Sequence, residues 1–149
     1  MSTIRITKSF TFETGHALYG YDGLCKNVHG HSYKLDVTVI GSPISDSNNV
    51  KYGMVIDFKD LKKIVKGEIV DVFDHATVFN QNTPHVELAN TLAENGHKVL
   101  LVDYQPTSEE MIIDFAVKIR AKLPKNIQLH HLRLQETATS YAEWYAADQ

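Results

Sequence analysis

The sequence predicts an α+β domain built on a four-stranded antiparallel sheet with two helices on one face. Amphipathic strand patterns stand at both ends of the chain, and helical patterns lie between them. At 149 residues and 43% hydrophobic content, the chain has the size of a single domain over residues 1–149, since domains commonly run to about 100–150 residues. The expected order is strand, strand, helix, long irregular segment, helix, strand, strand.

The first strand is read from Ile4, Ile6, Phe10 and Phe12, which alternate with Arg5, Ser9, Thr11 and Glu13. Its apolar parity runs on through Thr14 to His16. In the second, Tyr33, Leu35, Val37 and Val39 share a face while Ser32, Lys34, Asp36 and Thr38 occupy the other. Residues 41–53 carry turn chemistry in Gly41-Ser42-Pro43, Asn48-Asn49 and Gly53. From Asp57, an N-cap, the spacing of Phe58, Leu61, Ile64, Val65 and Val72 predicts a helix. Thr107 and Glu110 form a T-x-x-E capping box, and the stripe Met111, Ile112, Phe115, Ala116, Ile119, Leu123 ends at Pro124. The last strands are expected over residues 128–136 and 139–145.

Composition excludes several classes. One cysteine rules out an intrachain disulfide framework, and the alternating N-terminus lacks the charged head and apolar run of a secretory signal. The longest apolar stretch, Val99 to Val102, falls far short of the ~20 residues that cross a bilayer. A cytoplasmic protein without membrane contact is expected. With 15 Lys and Arg against 18 Asp and Glu, net charge −3, and no basic run interleaved with aromatics, direct nucleic-acid binding is not expected.

The chemistry concentrates near the second strand. His29 and His31, in Val28-His29-Gly30-His31-Ser32-Tyr33, flank one residue of a strand, so they share a face about 7 Å apart along the chain. An antiparallel hairpin would bring His16, at the end of the first strand, beside them. Three neutral imidazoles suit zinc, and three protein ligands with a fourth position left open is the catalytic arrangement. Cys25 sits in the loop between the two ligand-bearing strands and has two possible roles. It either closes the site as a fourth, structural ligand or acts as a thiolate that moves protons. Asp74-His75 offers a carboxylate–imidazole pair. Glu136 shares parity with Leu132 and Leu134, which turns a carboxylate toward the apolar side. There it requires a partner, such as a planar ligand edge with two parallel N–H groups.

In order along the chain, these motifs resemble one family. Phe12-x3-His16, Cys25-x3-His29-Gly30-His31-Ser32-Tyr33, Gly53-Met54-Val55-Ile56-Asp57-Phe58, Asp74-His75, Pro106-Thr107-Ser108-Glu109 and Glu136-Thr137 are similar to those of the 6-pyruvoyl-tetrahydropterin and 6-carboxy-tetrahydropterin synthases. The resemblance covers nearly the whole chain. It implies a tunnelling fold (T-fold, ββααββ) that assembles into homo-oligomers, trimers or hexamers, with active sites between subunits. It further implies that His16, His29 and His31 hold Zn2+ against the side-chain hydroxyls of 7,8-dihydroneopterin triphosphate. Cys25 would be the proton-transferring thiolate, Asp74 with His75 the partner relay, and Glu136 the anchor of the pterin edge, with Thr107 and Glu109 nearby.

The three-residue gap between Cys25 and His29 is similar to the bacterial 6-carboxy enzymes of queuosine and deazapurine synthesis, which release acetaldehyde and triphosphate. The alternative product is the 6-pyruvoyl pterin. A reading of another class is a non-catalytic pterin-binding protein with a closed Cys/His3 zinc site. Two departures stand out: Glu110 replaces the family's Asn, and the segment 81–105 is longer than in compact bacterial members. His85, His97, His130 and His131 have no ligand-like spacing to the first site and are expected to play no metal role.

Overall fold

In the computed structural model, which describes residues 1–149, the two N-terminal strand patterns form a long hairpin. Strands β1 (Ile4–His16) and β2 (His29–Gly41) pair antiparallel from Ile4↔Gly41 to His16↔His29. The alternation read from sequence is realised: Phe12, Tyr33, Leu35, Val37 and Val39 are buried on one face, while Ser32, Lys34 and Thr11 face away. β5 (Gln128–Thr137) pairs antiparallel with β2, and β6 (Ser140–Tyr145) with β5. Opposite Thr38 and Val39 the register skips one residue of β5, His130, as a β-bulge does.

The sheet is not four-stranded and not wholly antiparallel, which corrects the expectation from sequence. Beyond β1 lie β3 (Ala76–Asn80) and β4 (Val99–Val102), giving the order β4-β3-β1-β2-β5-β6. Both added strands are parallel, β3 to β1 and β4 to β3, and β3 meets only the Thr14–His16 end of β1. Parallel neighbours need a crossover, which is supplied by α3 (His85–Glu94). Most of the segment expected to be irregular is therefore a helix and a strand. Five- and four-residue strands without alternation leave no period to read.

The helices are also not confined to one face. α1 (Phe58–Val65) and α4 (Ser108–Lys122) bury Leu61, Val65, Met111, Ile112, Phe115 and Ile119 against the face that carries Tyr33 and Leu132. Val78 of β3 joins that core. Its neighbour Phe79 packs instead with Ala17 and with Ala89 of α3, and successive strand residues point to opposite faces. α3 therefore covers the reverse face at the β3–β4 edge.

Both predicted caps form. Asp57 accepts from Lys59 N at 2.9 Å, and Thr107 Oγ1 accepts from Glu110 N at 3.2 Å. The first helix continues past Val65 through one wide π-turn, Lys66–Val70, into the short α2 (Asp71–Phe73). There Phe73 packs edge-on against Phe115, centroids 4.9 Å apart. This end is buried and fixed, and it sets where Asp74 and His75 emerge. No helix is long and apolar enough to cross a membrane.

Candidate metal centre

The hairpin register delivers the three histidines. His16 lies directly opposite His29, Thr14 lies opposite His31, and one ligand nitrogen from each ring falls within 4.8 Å of the others. His16 is buried, and His29 and His31 are half-buried. Their ring centroids are 4.6 to 5.2 Å apart. Tyr33 forms the floor, its ring centroid 5.5 Å from that of His31 and 6.4 Å from that of His16.

The tautomers follow from the hydrogen bonds. His16 Nδ1 is 2.6 Å from the Pro106 carbonyl and His29 Nδ1 is 2.7 Å from the Asn27 carbonyl. A carbonyl oxygen only accepts, so in the neutral rings each Nδ1 carries the proton and each Nε2 presents a lone pair. Those two Nε2 atoms are only 3.0 Å apart. His31 Nε2 is buried and makes no hydrogen bond, although Glu136 Oε1 lies 3.2 Å away off the bonding direction. Burial, above all, lowers the pKa of both His16 and His31, which keeps the rings neutral at neutral pH. Three converging lone pairs, two of them oriented from behind by carbonyls, fit a divalent cation that accepts imidazole.

Cys25 lies in a single 3-10 turn, Leu24–Lys26, and its carbonyl accepts from Leu18 N at 3.0 Å. Its sulfur is outside the group of mutually close ligand atoms, which consists of the three histidines. In this structure the thiol does not close the site.

Glu136 connects the centre to a cavity. One carboxylate oxygen approaches His31 and the other accepts from Ser108 Oγ. With Ser108, Glu109, Ser140, Tyr141 and Ala142 it lines a hollow of about 290 Å³. Glu109 lines this hollow beside Glu136, whereas the Thr107 hydroxyl accepts from Glu110 N in the helix cap. The largest hollow, about 620 Å³, lies at the other end of the hairpin around Ile40 and Gly41 and holds no ligand cluster.

Asp74 and His75 are paired, with Nδ1 to Oδ2 at 3.0 Å. The other carboxylate oxygen accepts from Glu13 N at 2.9 Å, and this bond, ahead of the one from His75 and the nearby charge of Lys98, lowers the pKa of Asp74. Neither residue of this pair belongs to the close cluster formed by the chain's own His16, His29 and His31. His75 has φ 61° and its ring is 77% exposed. It shares a shallow hollow with Glu13, Thr14, Gly15, His31, Ser32 and Thr77. Glu13 and Ser32 point to the face opposite the triad, while His31 of the triad borders the same hollow.

Sequence reasoning missed Asn27, Pro106 and Ser108. The first two act through main-chain oxygens, which leave no mark in a side-chain pattern. Ser108 sits beside the cap, where its hydroxyl needed no other explanation.

Comparison with known proteins agrees with the geometry. The family model described as 6-pyruvoyl tetrahydropterin synthase matches residues 5–147. The chain is 40% identical over 141 residues to a 6-carboxy-5,6,7,8-tetrahydropterin synthase of Haemophilus influenzae, covering 94% of this chain and 97% of that protein. It is 30% identical over 161 residues to the protein of the same name from Aquifex aeolicus, covering 93% and 96%. Its fold superposes on the 6-pyruvoyl tetrahydropterin synthase of Caenorhabditis elegans with a TM-score of 0.69 at 23% identity, covering 98% of this chain and 97% of that one. With residues 5–147 matched by the family model and 40% identity over 94% of its length to a curated relative, this chain belongs to the 6-pyruvoyl tetrahydropterin synthase family.

Proposed function

We propose that this chain is a zinc-dependent 6-carboxy-5,6,7,8-tetrahydropterin synthase that converts 7,8-dihydroneopterin triphosphate into 6-carboxytetrahydropterin, acetaldehyde and triphosphate. The observation that carries the reading is the convergence of one ring nitrogen each from His16, His29 and His31 beside a cavity bearing Glu136. The 40% identity to the Haemophilus influenzae enzyme and the Cys25-x3-His29 spacing favour the carboxy product over the pyruvoyl one.

Zn2+ held by the three histidines would supply Lewis acidity to the hydroxyl oxygens of the substrate side chain. The remaining tasks fall to the chain's own groups. Glu136 accepts from the pterin's amino and ring N–H edge, a bidentate match that fixes the ring plane. Ser108 holds the second Glu136 oxygen and so sets the carboxylate's orientation. Cys25 takes up a proton from the side chain, and His75, its tautomer fixed by Asp74, moves another.

The active unit in this reading is a homo-oligomer. On the side of β1 away from β2, only Thr14–His16 have a strand partner, so residues 4–12 present free N–H and C=O groups. β6 is a second open edge. Such edges are templates for pairing with another copy, and a neighbour could bring its His75 face to this chain's metal centre.

Incubating the purified protein with dihydroneopterin triphosphate and identifying the products by mass tests the assignment. Acetaldehyde with a carboxypterin is expected; a pyruvoyl side chain would move the chain to the sister activity. The Cys25→Ala variant is expected to retain zinc while turnover falls by about a hundredfold, the usual scale for removing a proton-transfer group. Loss of zinc from that variant would instead assign the thiol to the metal.

A further inference from the structure

We propose that Lys98 is a positioning residue for the Asp74–His75 pair, an inference that rests on the catalytic reading of that pair given above. Lys98 immediately precedes β4, the strand absent from the fold expected on sequence, and the register Thr77↔Val99 carries it past the end of α2. Its Nζ donates to the Asp71 carbonyl at 2.8 Å and to the Asp74 carbonyl at 2.7 Å. Carbonyls at a helix C-terminus have no intrahelical partner and form its negative end, so one ammonium both satisfies them and is attracted to them.

The corner it holds is an unusual one. His75 adopts the left-handed region, φ 61°, which few non-glycine residues enter without outside support. Three contacts supply that support. His75 N donates to Glu13 O at 2.6 Å, Glu13 N donates to Asp74 Oδ1 at 2.9 Å, and Lys98 ties Asp74 from the other side. The first two attach the corner to β1. Only Lys98 attaches it to the crossover, whose backbone is itself paired there through Thr77 N to Lys98 O at 3.1 Å. Lys98 is exposed and touches neither the histidine triad nor the Glu136 hollow, so its action on the chemistry passes through His75.

Lys98→Met removes the ammonium and keeps the apolar stem; Lys98→Arg restores a charged donor. In Lys98→Met, kcat is expected to fall by about ten- to a hundredfold, the cost of a misplaced catalytic group. KM is expected to stay within about twofold, the pattern of a lost transition-state interaction. Zinc content is unchanged, and Lys98→Arg recovers most of the rate. The imidazole nitrogen signals of His75, identified by their loss in His75→Asn, are expected to shift in Lys98→Met and to return in Lys98→Arg. Unshifted His75 signals overturn the proposal. A loss that tracks a lowered Tm, raises KM in step and is not rescued by arginine also overturns it. If the wild-type protein does not turn over the pterin, the proposed reaction fails, while the His75 signals alone still decide whether Lys98 places the ring.

Discussion

The His29→Ala variant is expected to lose metal binding and at least about a thousandfold of its turnover, while remaining folded. The size follows from what the metal contributes: Lewis-acid stabilisation of developing charge is worth several kcal/mol, and each ~1.4 kcal/mol is tenfold in rate. His29 is the informative choice among the three ligands. His16 is buried beneath the hairpin end, and its loss would mix packing with chemistry. His29 is half-exposed, and its Nδ1 touches only the Asn27 carbonyl, so truncation disturbs little else. The two checks are metal analysis of the purified variant and turnover with zinc in excess. A variant that keeps stoichiometric zinc would remove His29 from the ligand set.

Co-expression of His29→Ala with His75→Ala is expected to restore activity that neither variant has alone. The argument is geometric. The triad faces the helices' side of the sheet, whereas His75 opens on the reverse side with Glu13 and Thr77. Within one copy His75 stands outside the close histidine cluster, whereas two copies meeting head-to-tail along open edges would set the His75 of one against the triad of the other. In a random equal mixture, about a quarter of such heterologous junctions join an intact triad to an intact His75. Recovery near that fraction supports shared sites. A mixture as inactive as its components would place the triad and His75 of each working site within one subunit, and full activity of His75→Ala alone would remove His75 from the reaction.

Much of this arrangement is legible in the sequence, and for identifiable reasons. The hairpin is long and strictly alternating, so its parity can be followed to the last residue, and that parity puts His16 opposite His29. Glu136 is legible in the same way, because a carboxylate in phase with Leu132 and Leu134 requires an explanation. The ββααββ pattern is incomplete where the elements are short. β3 and β4 are apolar runs of four or five residues, and α3 has only a weak apolar stripe, so no period identifies them. The reverse-face position of His75 is equally hidden. It depends on a left-handed residue, His75, that follows a π-turn over Lys66–Val70, and no side-chain period in residues 66–75 marks either.

The carbonyl locks behind His16 and His29 have an evolutionary consequence. Both belong to the main chain, so no codon change at position 27 or 106 can delete the acceptor itself. Side chains there can drift while the imidazoles keep their proton where it is, and at position 106 the proline ring further stiffens the peptide that carries the oxygen. Mutational fragility is thereby moved from chemical identity to loop length: an inserted or deleted residue between 17 and 28, or just before 107, would displace an acceptor that substitution cannot remove.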